Sequence, residues 1–168
     1  MADSEVEFLT TKSAGNIEPR CEGLNRWPLR SLPSLLDIKN NSKLTESITV
    51  LLREIVQVVE GSFLSGKEHD ELAVPYAAAS DLMSDVLAFS KPRAVLLTGL
   101  ANTHVIHTAE MADIVAIIFV RGKVPAAEVI SLAEEKEIPL ISSPLTMYEL
   151  CGRLFQAGLA GCDLQAKA

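Results

Sequence analysis

Aromatic residues make up only 5% of this 168-residue chain, although hydrophobic residues reach 48%. A core with so few rings has to be filled by Val, Ile, Leu and Ala, the composition of a sheet buried under helices. Cysteine is also scarce. Cys21, Cys151 and Cys162 form an odd set with no paired spacing, which points away from a disulfide-stapled secreted domain and toward a reduced, cytoplasmic one. The start of the chain shows no basic region followed by an apolar run, so no secretory leader is expected. Long apolar runs are missing too: the longest, Ile114 to Val120, falls far short of the roughly 20 residues that a membrane-spanning helix needs. Positive charge is outnumbered, 15 Lys and Arg against 22 Asp and Glu. The net charge of -7 repels nucleic acid backbones and anionic lipid surfaces alike.

What remains is one domain with an appendage, since single domains run to about 100–150 residues. Residues 1–41 carry Gly15, Pro19, Gly23, Pro28 and Pro33 among scattered charges and keep no period, so they read as an irregular tail. Within it, LPSLLDI is expected to dock Leu32, Leu35, Leu36 and Ile38 on the domain or on a partner. The domain is expected over residues 42–160, with a short tail at 161–168. Ser42 is placed to cap an amphipathic helix through Leu44, Ile48, Leu51, Leu52 and Ile55, running into a β-branched stretch of Val56, Val58 and Val59 that stops at Gly61. LAVPYAAA follows, and Pro75 assigns it to a sheet edge or a surface loop. Ser80 then caps a helix DLMSDVLAF with an apolar stripe of Leu82, Met83, Val86 and Leu87.

From Ala94 onward the chain alternates: strand AVLLTG, helix NTHVIHTAEMAD, strand IVAIIFV, helix PAAEVISLAEEKE, strand PLIS, helix TMYELCGRLFQAG. Successive β-α units predict an α/β fold with a mainly parallel sheet and helices on both faces. Asn102 sits at one helix start, Pro125 at the first position of the next, and Thr146 with Glu149 forms a capping box for the last, which Gly158 closes.

Residues that could carry chemistry are few. GSFLSGKE holds Gly61, Gly66 and Lys67 at the spacing of a phosphate-binding loop, the basis for an ATP-dependent phosphotransferase. Glu68 stands where a magnesium-binding Ser or Thr is required, and an extended pattern follows in place of a helix. The other reading of these residues is a glycine-containing turn between two extended segments. His104 and His107 lie three apart on one helix with no third ligand nearby, so no metal and no cofactor is expected. No nucleophile elbow or Cys-His-Asp set is present, and no catalytic residue is assigned.

The geometry of open parallel sheets directs attention to the loops beyond the carboxyl ends of their strands. TGLANTH, VRGKVP and SSPLT bring Thr98, Gly99, Asn102, Thr103, His104, Arg121, Gly122, Lys123, Ser142, Ser143 and Thr146 to one edge, with three helix N-termini. Two readings stand: a site for a small anionic, phosphate-bearing or nucleotide ligand, or a set of groups that only cap helices.

SDLMSDVLAF, the strand with a Thr-containing loop that follows, and IPLISSPLTMYELCGRLFQAGL resemble the DRTGG domain, and the resemblance covers about residues 44–160. The name-giving residues differ. LTGLANTH lacks the Asp-Arg pair, and the Thr-Gly-Gly expected after the next strand reads Val120, Arg121, Gly122, so only Gly122 matches. The resemblance implies a regulatory, non-catalytic domain in stand-alone form, otherwise found beside CBS domains and in phosphate acetyltransferases, and similar to the N-terminal domain of HPr kinase. Lone copies occur near iron-only hydrogenase genes, which implies a protein-protein adaptor as the alternative. The high apolar content of so short a chain leads to the further expectation of a homodimer.

Overall fold

The computed structural model describes residues 49–162. The expected helix start at Ser42 and the segment from Leu32 to Ile38 lie outside the described residues. The chain folds as an α/β domain. Its six-stranded sheet has the order β2-β7-β6-β5-β4-β8, with β2 Ser62–Ser65, β4 Tyr76–Ala79, β5 Ala94–Thr98, β6 Ala116–Phe119, β7 Leu140–Ser142 and β8 Ala160–Gly161. All pairings are parallel except that of β2 with β7. A separate two-stranded antiparallel ribbon joins β1 (Val50–Leu51) to β3 (Ala73–Val74).

Helices cover both faces because the strands alternate. Val95, Leu97, Ile118 and Ile141 point to one side, where they pack with Leu52 and Ile55 of α1 (Leu52–Val58) and Leu150 and Leu154 of α5 (Met147–Gln156). Leu96, Ile117, Phe119 and Leu140 point to the other, against Val86 of α2 (Met83–Phe89), Val105, Ile106 and Ala109 of α3 (Thr103–Met111), and Val129 and Ala133 of α4 (Ala127–Glu135). The chain steps from β4 to β7 one strand at a time and then returns through α5 to set β8 beside β4. The loops after β6 and β7 therefore lead to opposite faces.

Several boundaries differ from the sequence-based expectations. Val56 and Val58 lie in α1, not in a strand: Leu52, Ile55 and Val59 recur at helical spacing and are all fully buried, so burial periodicity overrides β-branched propensity. Pro75 separates two strands, and β4 beyond it is paired on both sides, by β5 and by the short β8. The stretch read as a C-terminal tail thus contributes Gly161 to the sheet, and the Cys162 N–H donates to the Ala77 carbonyl. α2 starts at Met83, because the Ser80 hydroxyl closes a local turn with the Leu82 backbone; Leu82 and Leu87 of the expected apolar stripe are exposed. α4 begins at Ala127 with Ala126 as its cap, so Pro125 stands before the cap and not at the first helical position. At α5 the Thr146 hydroxyl accepts from the Glu149 N–H at 3.4 Å, while the Glu149 carboxylate pairs with Arg153 at 2.8 Å instead of returning to the cap.

GSFLSGKE is part strand and part turn. Ser62–Ser65 is a strand paired with β7, Gly66 is left-handed at φ 72°, and Lys67–His69 makes a single 3-10 turn. A strand occupies the place where a phosphate-binding loop would have to wrap, so the phosphotransferase alternative loses its loop.

Candidate functional site

The carboxyl ends of β4, β5 and β6 set four side chains around one backbone segment. Thr98, the last residue of β5, is fully buried, and Gly99 follows it. Asp81 reaches over from the β4–α2 connection, and its Oδ1 accepts from the Gly99 N–H at 2.6 Å and from the Thr98 hydroxyl at 2.9 Å. The Thr98 Oγ1 in turn accepts from the Leu100 N–H at 3.1 Å. From the β6–α4 loop, the Lys123 ammonium donates to the Gly99 carbonyl. The Arg121 guanidinium lies on the same glycine: a Cβ at Gly99 would stand 3.1 Å from its Nη2 and 3.2 Å from Asp81 Oδ2. A side chain at this position would be tight against both the cation and the carboxylate, which close on the backbone from either side.

The electrostatics follow from these contacts. The Gly99 N–H holds the Asp81 carboxyl below its ordinary range against the opposing effect of partial burial, and the Thr98 hydroxyl and the charges of Lys123 and Arg121 add to it. Arg121 and Gly122 are both left-handed, with φ 60° and 63°. The bend is fixed by two bonds across to the β7–α5 loop, Arg121 N–H to the Leu145 carbonyl at 2.8 Å and Gly122 N–H to the Ser143 carbonyl at 2.7 Å. Those bonds lace together the loops at the topological switch point between β6 and β7, and the charged group lies beside it, at the end of β5.

The remaining predicted residues divide. The Ser142 hydroxyl donates to the Lys123 carbonyl at 3.0 Å and steadies that loop. Ser143 is drawn inward: its hydroxyl donates to the Val59 carbonyl at 2.6 Å and accepts from the Leu145 N–H. Asn102 and Thr146 cap their helices, Asn102 Oδ1 accepting from the Val105 N–H at 3.3 Å. Thr103 lies half-buried in the first turn of α3, and His104 and His107 are exposed. Among the described residues no group of three His, Cys, Asp or Glu side chains is placed to hold a metal. Nor is any of their helices long and apolar enough to cross a membrane. A shallow concavity lined by Gly66, Glu68, His69, Glu134 and Glu137 lies at the other end of the sheet, where β7 begins.

Asp81 is the residue that sequence reasoning missed. Pro75 assigns LAVPYAAA to a sheet edge or a surface loop, and that assignment keeps the connection after it away from the loop edge. Read as a fourth parallel strand, YAAA places Ser80-Asp81 beside Thr98-Gly99 by the same rule that selected the other loops.

No curated protein matches the chain in sequence. Among solved structures, the CBS and DRTGG domains of the regulatory region of Clostridium perfringens pyrophosphatase, in complex with the activator diadenosine tetraphosphate, are similar in fold. The TM-score is 0.55 at 15% identity, over 65% of this chain and 47% of that one, so the chain spans about half the length of that regulatory region. The profile of the DRTGG domain matches residues 54–157, which takes in α1 from its third residue onward, every strand of the main sheet except β8, and the whole loop edge. The chain belongs to the DRTGG-domain family.

Proposed function

We propose that this protein is a regulatory, non-catalytic module that senses a small phosphate-bearing ligand at the loop edge formed by Thr98, Gly99, Arg121 and Lys123. The observation that carries the reading is the convergence of a backbone N–H, a hydroxyl and two cationic side chains on one negatively charged group. Such a donor set is the physical requirement for holding a phosphoryl oxygen. The neighbouring structure adds support, because its regulatory region was crystallised with a nucleotide activator that carries four phosphates. The net charge of -7 gives no general attraction for anions, so binding would depend on this local group.

The test is thermal denaturation of the purified chain with diadenosine tetraphosphate, ATP, acyl phosphates and sugar phosphates. A ligand at 100 times its Kd adds about 2.7 kcal/mol of stability. A shift that Arg121→Ala and Lys123→Ala each remove is the expected result. No shift with any of these compounds would turn the assignment toward the adaptor role, in which the edge meets another protein.

A homodimer is proposed with it, through α5. Tyr148 and Phe155 are 90% and 76% exposed, on one stripe of that helix with Gly152 between them, and a Cβ at Gly152 would meet nothing within 4 Å. A two-fold axis there sets Tyr148 of one copy against Phe155 of the other and brings Glu149 beside the opposing Arg153.

A further inference from the structure

Asp81 takes the donors that a bound anion would use. Its side chain is exposed, yet its Oδ1 collects the Gly99 N–H and the Thr98 hydroxyl, and the charges of Lys123 and Arg121 bear on it. Two fixed hydrogen-bond donors and two cations exceed what one carboxylate needs merely to hold a loop. Gly99 is already tethered by Lys123 at its carbonyl, and Thr98 by the β5–β6 pairing and by Leu100. The donor set matches a phosphoryl group, and a side chain of the neighbouring loop fills it.

We propose that Asp81 is a built-in occupant of this anion site, and that a phosphoryl group of a phosphate-ester ligand displaces it, accepting from the Gly99 N–H and the Thr98 hydroxyl in its place. The inference rests on the reading that the loop edge takes a phosphate-bearing ligand. The exchange has a mechanical output. Asp81 lies one residue before Leu82, the N-cap residue of α2, and the Ser80 hydroxyl ties Ser80 to Leu82 at both its N–H and its carbonyl. Release of Asp81 therefore moves the first turn of α2, and with it the 58% exposed Leu82. Ligand occupancy is converted into a change at a surface helix, as a sensor requires.

The experiment is calorimetric titration of the full chain with pyrophosphate and with diadenosine tetraphosphate, for the wild type, Asp81→Ala, Asp81→Asn and Asp85→Asn. Asp81→Asn keeps an oxygen for Gly99 and Thr98, so it preserves the fold should Asp81→Ala fail to do so. Asp85→Asn removes an equal charge from the first turn of α2, outside the network. An internal occupant that fills the site about nine-tenths of the time weakens the apparent affinity by about tenfold. Asp81→Ala is expected to tighten Kd by roughly that factor. Asp81→Asn should tighten it in the same direction, and Asp85→Asn should leave it unchanged. Wild-type binding that the Asp81 variants weaken or leave unaltered would make Asp81 a brace and overturn the inference, while the ligand-site reading survives. Equal tightening by Asp85→Asn would reduce the effect to net charge and also overturn it. No binding by any of the four proteins would overturn both.

Discussion

At the scale of single residues, the network around Asp81 makes a pH prediction with a definite sign. Its folded-state pKa lies below the ordinary value because the Gly99 N–H, the Thr98 hydroxyl and two cations favour the charged form. A depressed carboxylate pKa contributes stability that is present above the unfolded value, about 3.9, and is lost as the pH falls through the folded value. The wild type should therefore hold a flat melting temperature from neutral pH to about pH 5 and lose stability below about pH 4. Asp81→Asn should lose less over the same acid range, and identical acid limbs would remove Asp81 as a contributor. Ser143 shows how residue type alone misleads. Its hydroxyl is fully buried against the Val59 carbonyl, and no feature of SSPLT separates it from Ser142, whose side chain bonds into the β6–α4 loop. Cys151, half-buried on α5, has its thiol pushed up by burial, away from the reactive thiolate.

At the scale of elements, the strongly periodic stretches were legible and the ends were not. β5, α3, β6, α4, β7 and α5 appear where their patterns place them, because buried strands and amphipathic helices carry their signal over many residues. Helix ends depend on one or two residues. Four helices close with the same geometry, the second residue beyond the cap bonding back: Gly61 to Val56, Ile114 to Ala109, Ile138 to Ala133 and Leu159 to Leu154. Only the last places glycine, Gly158, at the left-handed position; the others place Glu60, Asp113 and Glu137 there, at φ 51°, 52° and 54°. A search for C-terminal glycine finds one end in four and misses three. Carboxylates at the negative end of a helix, in a backbone conformation that disfavours a Cβ, leave stability unrealised. Glu137→Gly is expected to raise stability by about 0.5 kcal/mol in a denaturant titration. A decrease would mean that the side chain makes a contribution larger than its backbone strain.

At the scale of the whole molecule, the sheet was legible as mainly parallel, while its edges were not. β2 pairs antiparallel at one edge and β8 supplies two residues at the other, and neither has the length or apolar pattern that marks a strand in sequence. Both depend on contacts distant along the chain, which local pattern does not encode. The same limit holds for the loop edge. The rule for parallel sheets gathered its loops, yet the contribution of β4, and with it Asp81, required the pairing of β4 with β5. The proposed pairing of two copies belongs to this scale as well. Light scattering should give twice the chain mass for the wild type and the single-chain mass for Tyr148→Glu and Phe155→Glu, with melting temperatures little changed. A monomeric wild type would reject the α5 interface.

The two backbone bonds that lock Arg121 and Gly122 to Leu145 and Ser143 divide the loop edge into unequal parts. The connections after β6 and β7 are laced together through main chain and form a fixed jaw. Those after β4 and β5 meet that jaw through side chains, Lys123 on Gly99 being the direct link. Hydrogen exchange would separate the two parts: slow amides at Arg121 and Gly122 under all conditions, and at Gly99 a rate that follows whichever anion it holds. A ligand spanning the two would act as a clasp, stiffening the movable side against a support that is rigid before it arrives.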